Sequence, residues 1–109
     1  MKMIYLAHPF SGQRTNVYKS IDLATKLTME NPDIHVFNAA HYFYQYENVL
    51  TEEEIMKRCL DMVGRCDELW LAPGWRASKG CNAEYVEAQR LRKIVGYLPT
   101  YECTEEEEK

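Results

Sequence analysis

Residues 66–84 read CDELWLAPGWRASKGCNAE and combine three kinds of segment in a fixed order. The apolar run at 68–72 predicts a buried strand, residues 73–80 with their glycines predict a loop, and residues 81–92 predict a helix. A strand that leads through a loop into a helix is typical of α/β proteins, in which helices connect parallel strands.

The same alternation extends along the rest of the chain. Three further strands are predicted from short apolar runs at residues 3–7, 34–37 and 94–98. Helical spacing of apolar residues predicts a helix over residues 15–30, and Thr51 with Glu54 forms a capping-box signature for a helix that ends near Arg65. Residues 38–50 show no clear period. The order β-α-β-α-β-α-β predicts a three-layer α/β fold, with a parallel sheet of about four strands between layers of helices.

Composition and charge limit the class of protein. The 109 residues are 46% apolar and 28% charged, which is typical of one globular domain, placed here at residues 1–101. The glutamate-rich residues 102–109 are predicted to form an acidic, disordered tail. Residues 1–101 contain 12 acidic and 12 basic residues, so their formal net charge is zero. The absence of a net positive charge argues against nucleic-acid binding.

Membrane, export and metal signals are weak or missing in the sequence. No apolar run approaches the roughly 20 residues of a membrane helix, and the N-terminal segment lacks the pattern of an export signal. We therefore expect a cytoplasmic protein that does not bind membranes. The cysteines form no C-x-x-C pair and the histidines share no ligand spacing, so we expect no metal site. Cys59 falls on an apolar helix face and is predicted to lie in the core.

The loops after the first three predicted strands are candidates for a binding site. Ligands of open parallel sheets bind outside the carboxyl ends of the strands, where the strand order reverses. The loops at those ends are residues 8–14, 38–50 and 73–80. In the last loop, Gly74 and Gly80 allow a ligand to approach the backbone closely. Trp75 adds a stacking face, and Ser78 adds a hydroxyl.

Glu84 follows this loop, one turn into the predicted helix. It shares a helix face with Ala88 and Leu91, so it is predicted to point partly toward the sheet. A helix N-terminus favours the ionised form of a partly buried carboxylate, which makes Glu84 a candidate for chemistry. Alternatively, Glu84 only complements the helix dipole.

The loop after the first predicted strand contains a second set of candidate binding residues. Ser11, Gly12 and Arg14 precede a predicted helix N-terminus, a position that favours anions. Alternatively, Ser11 and Gly12 only form a turn. Neither a G-x-G-x-x-G motif nor a P-loop motif occurs, which argues against dinucleotide binding and ATP hydrolysis. We therefore expect no cofactor.

Two motifs taken together resemble a known superfamily. Residues 4–12, IYLAHPFSG, and residues 66–84 resemble the nucleoside 2-deoxyribosyltransferase-like superfamily, which includes deoxyribosyltransferases and 2′-deoxynucleoside 5′-phosphate N-hydrolases. The resemblance extends from residue 3 to about residue 98. It is greatest to small, functionally uncharacterised bacterial and phage members that carry a GW-x-x-S-x-G-x-x-x-E loop.

This resemblance implies a flavodoxin- or Rossmann-like sheet and glycosyl chemistry centred on a carboxylate. Glu84 matches the family nucleophile, Asp67 the acid that contacts or protonates the departing base, and Tyr5 the tyrosine that orients the nucleophile. Ser78 matches a serine that contacts the 5′-phosphate in the nucleotide hydrolases. The other residues expected to bind substrate are His8, Ser11, Gly12, Arg14, Gly74, Trp75 and Gly80.

The resemblance implies an enzyme acting on a small molecule. We expect cleavage or transfer of the N-glycosidic bond of a 2′-deoxynucleoside or its 5′-monophosphate, with hydrolysis favoured because water is always available. The alternative is a non-catalytic nucleotide-binding or sensing module on the same fold. A third interpretation is an interaction protein of a phage or mobile element that binds no ligand.

The resemblance also implies a homo-oligomer, a dimer or larger. An aromatic cluster suited to the core of an interface comprises Tyr42, Phe43, Tyr44 and Tyr46. Alternatively, these rings line the ligand pocket or cover the edge of the sheet.

Overall fold

Strands and helices alternate along the chain in a computed structural model that describes residues 1–100. The strands are β1 (Lys2–Ala7), β2 (Ile34–Asn38), β3 (Glu68–Leu71) and β4 (Ile94–Tyr97). The helices are α1 (Arg14–Glu30), α2 (Ala39–Tyr44), α3 (Glu52–Arg65) and α4 (Lys79–Arg90), with a single 3₁₀ turn at Trp75–Ala77. The predicted acidic tail at 102–109 lies outside the described residues.

The four strands form one parallel sheet in the order β2-β1-β3-β4. Tyr5 of β1 is in register with Phe37 of β2 on one side and Leu69 of β3 on the other. The chain leaves β1 toward β2 and later returns to the opposite side of β1 as β3. The strand order therefore reverses between β1 and β3, so the loops after these two strands border the expected ligand position.

Helices cover both faces of the sheet, which confirms the predicted three-layer α/β fold. Successive β1 residues point to opposite faces. Tyr5 lies in a core cluster with Cys59 and Val63 of α3, and Leu6 lies in a second cluster with Leu23 of α1. Of the helices within residues 1–100, none is both long and apolar enough to span a membrane.

The structure explains two of the helix starts through side-chain caps. At α3, the predicted capping box is present: the Glu54 amide donates to the Thr51 hydroxyl at 3.1 Å, and the Thr51 amide donates to Glu54 Oε1 at 2.9 Å. At α4, the Ser78 hydroxyl accepts from the Cys81 amide at 3.2 Å. Because Ser78 is the cap, α4 begins two residues earlier than predicted and includes Gly80.

The aromatic segment at 38–50, which has no sequence period, contains the short helix α2. The Asn38 side chain caps this helix by accepting from the His41 amide at 3.3 Å. A helix of six residues is too short to display a repeat, so the sequence offered only the capping residue as a signal.

Candidate active site

Tyr5 and Glu84 form a buried pair between the sheet and α4. Tyr5 lies on the face of β1 that packs against α3 and α4, and its side chain is fully buried. Its hydroxyl donates to Glu84 Oε2 at 2.5 Å. Glu84 lies in the second turn of α4 and is only 6% exposed. The structure therefore brings together two of the three predicted catalytic residues.

Burial and hydrogen bonding act in opposite directions on the Glu84 carboxyl. Burial disfavours the charged form and raises the pKa of Glu84 to about 7, while hydrogen bonds from Tyr5 and Cys59 counteract part of this rise. Burial, with the nearby Glu84 charge, raises the pKa of Tyr5 well above its usual value. Tyr5 is thus a neutral donor at physiological pH, and Glu84 exchanges its proton near neutrality.

Two thiols complete the surroundings of Glu84. Cys59 of α3 lies in the same core cluster as Tyr5, and burial, followed by the Glu84 charge, raises its pKa to about 12. Burial, followed by the Glu84 charge, also raises the pKa of Cys81 to about 12. The prediction that Cys59 lies in the core is confirmed.

Asp67 is not part of this pair, and its predicted role stays a prediction. It immediately precedes β3, so it lies at the amino end of the sheet, whereas the ligand loops follow the carboxyl ends. Its carboxylate is exposed and accepts from the Met3 amide at 2.7 Å, which joins the start of β1 to the start of β3. In this structure the Asp67 carboxylate therefore connects two strands at the amino edge of the sheet.

The loop between β3 and α4 is braced by its own side chains. Gly74 has a positive φ of 87°, which a residue with a β-carbon adopts at a cost. The Trp75 ring packs against Tyr85 at 5.0 Å and Tyr97 at 6.0 Å between centroids, and the Arg76 guanidinium lies 5.1 Å from its centre. Trp75 therefore anchors the loop through contacts within the protein.

Asn82 fastens the same loop to α4 and was not identified from the sequence. Its Nδ2 atom lies 3.3 Å from the carbonyl oxygen of Trp75, 2.9 Å from that of Arg76 and 2.8 Å from that of Ser78. One amide group thus spans the whole 3₁₀ turn. An asparagine in the first turn of a helix is a common residue, so the sequence gave little reason to single it out.

Gly80 does not lie in a ligand loop, contrary to the prediction. It is the second residue of α4, and a β-carbon built there would lie 3.3 Å from Met56 Cε of α3. The missing side chain therefore permits close packing of two helices.

The loop after β1 forms a tight turn. Ser11 and Gly12 both have positive φ, and the Gln13 amide donates to the Phe10 carbonyl at 3.0 Å. This is the turn that the sequence offered as the alternative to an anion site. Arg14, the first residue of α1, is exposed and donates from Nε to the Tyr44 hydroxyl at 3.2 Å.

A carboxylate lies against this turn. A β-carbon built on Gly12 would lie 3.3 Å from Glu47 Oε2, so the segment after α2 reaches over the first loop. Glu47 was not identified from the sequence. Its negative charge disfavours a phosphate at the position where Ser11 and Gly12 were expected to bind one.

His8 lies half-buried at the carboxyl end of β1. Its Nδ1 atom lies 2.8 Å from the Pro9 carbonyl oxygen, which can only accept, so Nδ1 carries a proton. Burial lowers the pKa of His8. At neutral pH, Nε2 is therefore an acceptor available to a ligand.

An open groove of about 510 Å³ runs along β2 and α2. It is lined by Val36, Phe37, Asn38, His41, Tyr42, Tyr44 and Gln45. The Phe37 ring also packs on Tyr5 at 5.6 Å between centroids, so one side chain links the groove to the buried pair. Within residues 1–100, no group of three or more His, Cys, Asp or Glu side chains is arranged to hold a metal ion.

Residues 2–97 match a family described as a domain of unknown function, DUF4406. The chain belongs to this family. No curated protein matches the sequence.

The DUF4406 chain is similar in structure to a 2-desoxiribosyltransferase from Leishmania mexicana. The TM-score is 0.66 at 20% sequence identity, and the match covers 93% of this chain and 66% of that one. The DUF4406 chain thus spans slightly less than two thirds of the other protein. The likeness confirms the predicted nucleoside 2-deoxyribosyltransferase-like fold.

Proposed function

We propose that this DUF4406 protein cleaves the N-glycosidic bond of a 2′-deoxynucleoside, with Glu84 as the nucleophile. The observation that carries the proposal is the Tyr5–Glu84 pair, a carboxylate held at 2.5 Å by a fully buried donor. Tyr5 belongs to β1 and Glu84 to the helix that follows β3, the two strands between which the strand order reverses, on a fold similar to that of a 2-desoxiribosyltransferase.

The proposed reaction has two displacement steps. Glu84 attacks C1′, the C1′–N bond breaks, and the base leaves with the bonding electron pair and takes a proton from solvent. The product of this step is a covalent ester between C1′ and Glu84. Water then attacks C1′, the ester bond breaks, and the water proton passes to solvent. The transition states resemble an oxocarbenium ion, which a nearby carboxylate stabilises.

Tyr5 contributes orientation in this scheme. Its donated hydrogen bond fixes one carboxylate oxygen, which leaves the other to face C1′. A neutral tyrosine also stabilises the ionised form that attacks. Hydrolysis is favoured over transfer because water is always present, and a second nucleobase in place of water would give transfer.

The first loop favours nucleosides over their 5′-monophosphates as substrates. Glu47 presents a carboxylate beside Gly12, and Arg14 is already bonded to Tyr44. A neutral 5′-hydroxyl can donate to Glu47, whereas a phosphate would be repelled. His8 and the Ser78 hydroxyl remain candidates for contacts with the sugar.

Base release measures this activity directly. Purified protein is incubated with the four deoxynucleosides, their monophosphates and matched ribonucleosides, and free base is separated and quantified. We expect release from deoxynucleosides and little from ribonucleosides, since the 2′-hydroxyl disfavours an oxocarbenium-like transition state. Glu84→Gln should lower the rate by orders of magnitude, while Glu87→Gln, on the same helix, should not. Wild-type turnover by Glu84→Gln would refute the proposal.

The burial of Glu84 favours one alternative, a non-catalytic nucleotide-binding or sensing module. A carboxyl that is 6% exposed and has a pKa of about 7 is partly protonated at neutral pH. Saturable binding of a deoxynucleoside by calorimetry, with no base released at pH 6 or pH 9, would support the module over the enzyme.

A further inference from the structure

Tyr44 connects the segment after β2 to the first loop, which follows β1. It is the last residue of α2, and its ring packs edge-on against Phe10 at 5.7 Å between centroids. Its hydroxyl accepts a hydrogen bond from Arg14 Nε at 3.2 Å. One side chain of α2 thus contacts both the first loop and the first residue of α1.

Glu47 lies one turn after Tyr44 and approaches the same loop. Its amide donates to the Tyr44 carbonyl at 3.1 Å, which ties the two residues together. Its Oε2 atom lies 3.3 Å from the position that a β-carbon on Gly12 would take. The turn that begins at Tyr44 therefore places a hydroxyl at Arg14 and a carboxylate beside Gly12.

Arg14 and Glu47 carry opposite charges near the same loop, yet they do not pair. Arg14 is only two residues from Gly12, against which the Glu47 carboxylate lies. None of the ion pairs formed within residues 1–100 joins Arg14 to Glu47. Arg14 is bonded to the Tyr44 hydroxyl instead. The negative charge of Glu47 is therefore not offset by this guanidinium.

The same hydrogen bond occupies one donor of the Arg14 guanidinium. Arginine recognises a phosphate most specifically through two parallel N–H groups, which form a rigid fork. The Nε–H group is one of the two donors on its side of the guanidinium, and it is directed to Tyr44. The Tyr44 hydroxyl therefore opposes both an Arg14–Glu47 ion pair and a two-donor contact with a phosphate through Nε.

We propose that Tyr44 is a specificity-determining residue, which directs the site toward deoxynucleosides by holding Arg14 away from Glu47 and from a 5′-phosphate. This inference rests on the proposed function, whose substrates it sorts. Without the hydroxyl, Arg14 can neutralise Glu47 or bind the phosphate itself. Either change favours monophosphates, because the repulsion at Gly12 is reduced or outweighed.

Tyr44→Phe removes this hydroxyl and keeps the ring that packs on Phe10. Base release is measured with matched deoxynucleosides and their 5′-monophosphates, and the ratio of the two kcat/KM values is compared with that of the wild type. We expect the ratio of monophosphate to nucleoside to rise about three- to fivefold, the range of one exposed charge pair. The change should appear in KM for the monophosphate, since the groups around C1′ are unaltered. Tyr46→Phe removes a hydroxyl two residues further on and should leave the ratio unchanged.

Arg14 decides whether such a rise has the proposed cause. In the double variant Tyr44→Phe/Arg14→Gln the guanidinium is absent, so the gain over the wild type should disappear. A ratio that is unchanged in Tyr44→Phe, or raised equally in the double variant, would overturn the proposal.

The same proteins distinguish failure of this proposal from failure of the proposed function. Base release from deoxynucleosides with an unchanged ratio in Tyr44→Phe would leave the proposed function standing without this role for Tyr44. If no protein releases base, calorimetry with a deoxynucleoside and its 5′-monophosphate gives the ratio of affinities. A shift of that ratio in Tyr44→Phe that depends on Arg14 supports ligand selection by Tyr44 without catalysis. No shift, or no binding of either ligand, overturns it.

Discussion

The Glu84 carboxyl is buried, and hydrogen bonding offsets only part of the rise in pKa that burial causes. Tyr5 and Cys59 supply hydrogen bonds, yet desolvation still dominates and raises the pKa of Glu84 to about 7. A carboxyl in this range gains and loses its proton within the physiological pH range. Protein stability and the proposed attack on C1′ therefore depend on the same proton, in opposite directions.

Stability should fall as pH rises through the titration of Glu84. The usual pKa of a glutamate is 4.5, and the folded value is about 7, so the folded state binds the proton more tightly between these values. The free energy of unfolding therefore decreases from about pH 4.5 to about pH 7 and then levels off. Glu84→Gln has no proton to lose here and should not show this decrease. At pH 8.5 its free energy of unfolding should exceed that of the wild type by up to about 3 kcal/mol. Urea unfolding at pH 5 and pH 8.5 measures the difference; parallel pH dependence in the two proteins would contradict it.

Glu47 should set the preference between nucleosides and nucleotides. Removing its charge with Glu47→Gln relieves repulsion at Gly12, so the ratio of monophosphate to nucleoside turnover should rise several-fold. Glu53→Gln, an exposed change in α3, serves as the control. If neither protein releases base, binding of the two ligand types by calorimetry gives the same ratio. An unchanged ratio in Glu47→Gln would show that this carboxylate does not face the 5′ end of the ligand.

At the scale of elements, the β3–α4 connection depends on two polar side chains. Ser78 caps α4, and the Asn82 side-chain amide lies within hydrogen-bond distance of three carbonyl oxygens in the turn before it. The capped helix holds Glu84 at a fixed distance from β1. The conformation of this loop is thus coupled to the position of the carboxyl through the first two turns of one helix.

Asn82→Ala should loosen this loop. Loss of the side-chain amide is expected to lower the free energy of unfolding by about 1 kcal/mol, since the Arg76 carbonyl loses its donor, while the Trp75 and Ser78 carbonyls still accept from backbone amides. Amide hydrogen exchange should increase over residues 75–82. Asn48→Ala, an exposed change, is the matched control and should leave both quantities unchanged.

The sequence predicted the elements whose signals are local and missed the contacts that cross between them. The capping box at Thr51 fixed the start of α3, because both partners lie within one turn. Six-residue α2 was too short to show a period. Asp67 was assigned a catalytic role although its place before a parallel strand already puts it at the amino edge of the sheet. The proximity of Glu47 to Gly12 depends on how the segment after α2 packs against the first loop, which no spacing in the chain encodes.

At the scale of the whole molecule, a four-stranded sheet leaves β2 and β4 at its edges. The structure measures 39 × 33 × 22 Å along its principal axes. Some of its aromatic side chains are partly exposed to solvent. Tyr42, 46% exposed, lies in the aromatic cluster beside β2, and Tyr97, 57% exposed, lies on β4. Both edges therefore carry exposed aromatic side chains that a second copy could cover.

We expect a homo-oligomer built on the β2 side. The rings of Tyr42 and Tyr46 pack with Phe37 and Phe43, which gives a rigid, partly exposed apolar patch. Such patches are enriched at interfaces. Sedimentation at micromolar concentration should give at least a dimer, and Tyr42→Glu should shift the population toward the monomer. Val49→Glu, at another exposed apolar residue, tests whether any added charge has this effect. A monomeric wild type would contradict the expectation.

Within residues 1–100, three buried thiols allow the opening of the layer formed by α3 and α4 to be timed. Disulfide and maleimide reagents react with thiolates, and burial raises the pKa of Cys59 and Cys81 to about 12 and that of Cys66 to about 11. Reagent can therefore reach these sulfurs only when the layer formed by α3 and α4 opens. The rate at which each cysteine is labelled in otherwise native protein reports how often its helix leaves the sheet. A deoxynucleoside that binds above Glu84 should slow labelling of Cys59 and Cys81 more than labelling of Cys66.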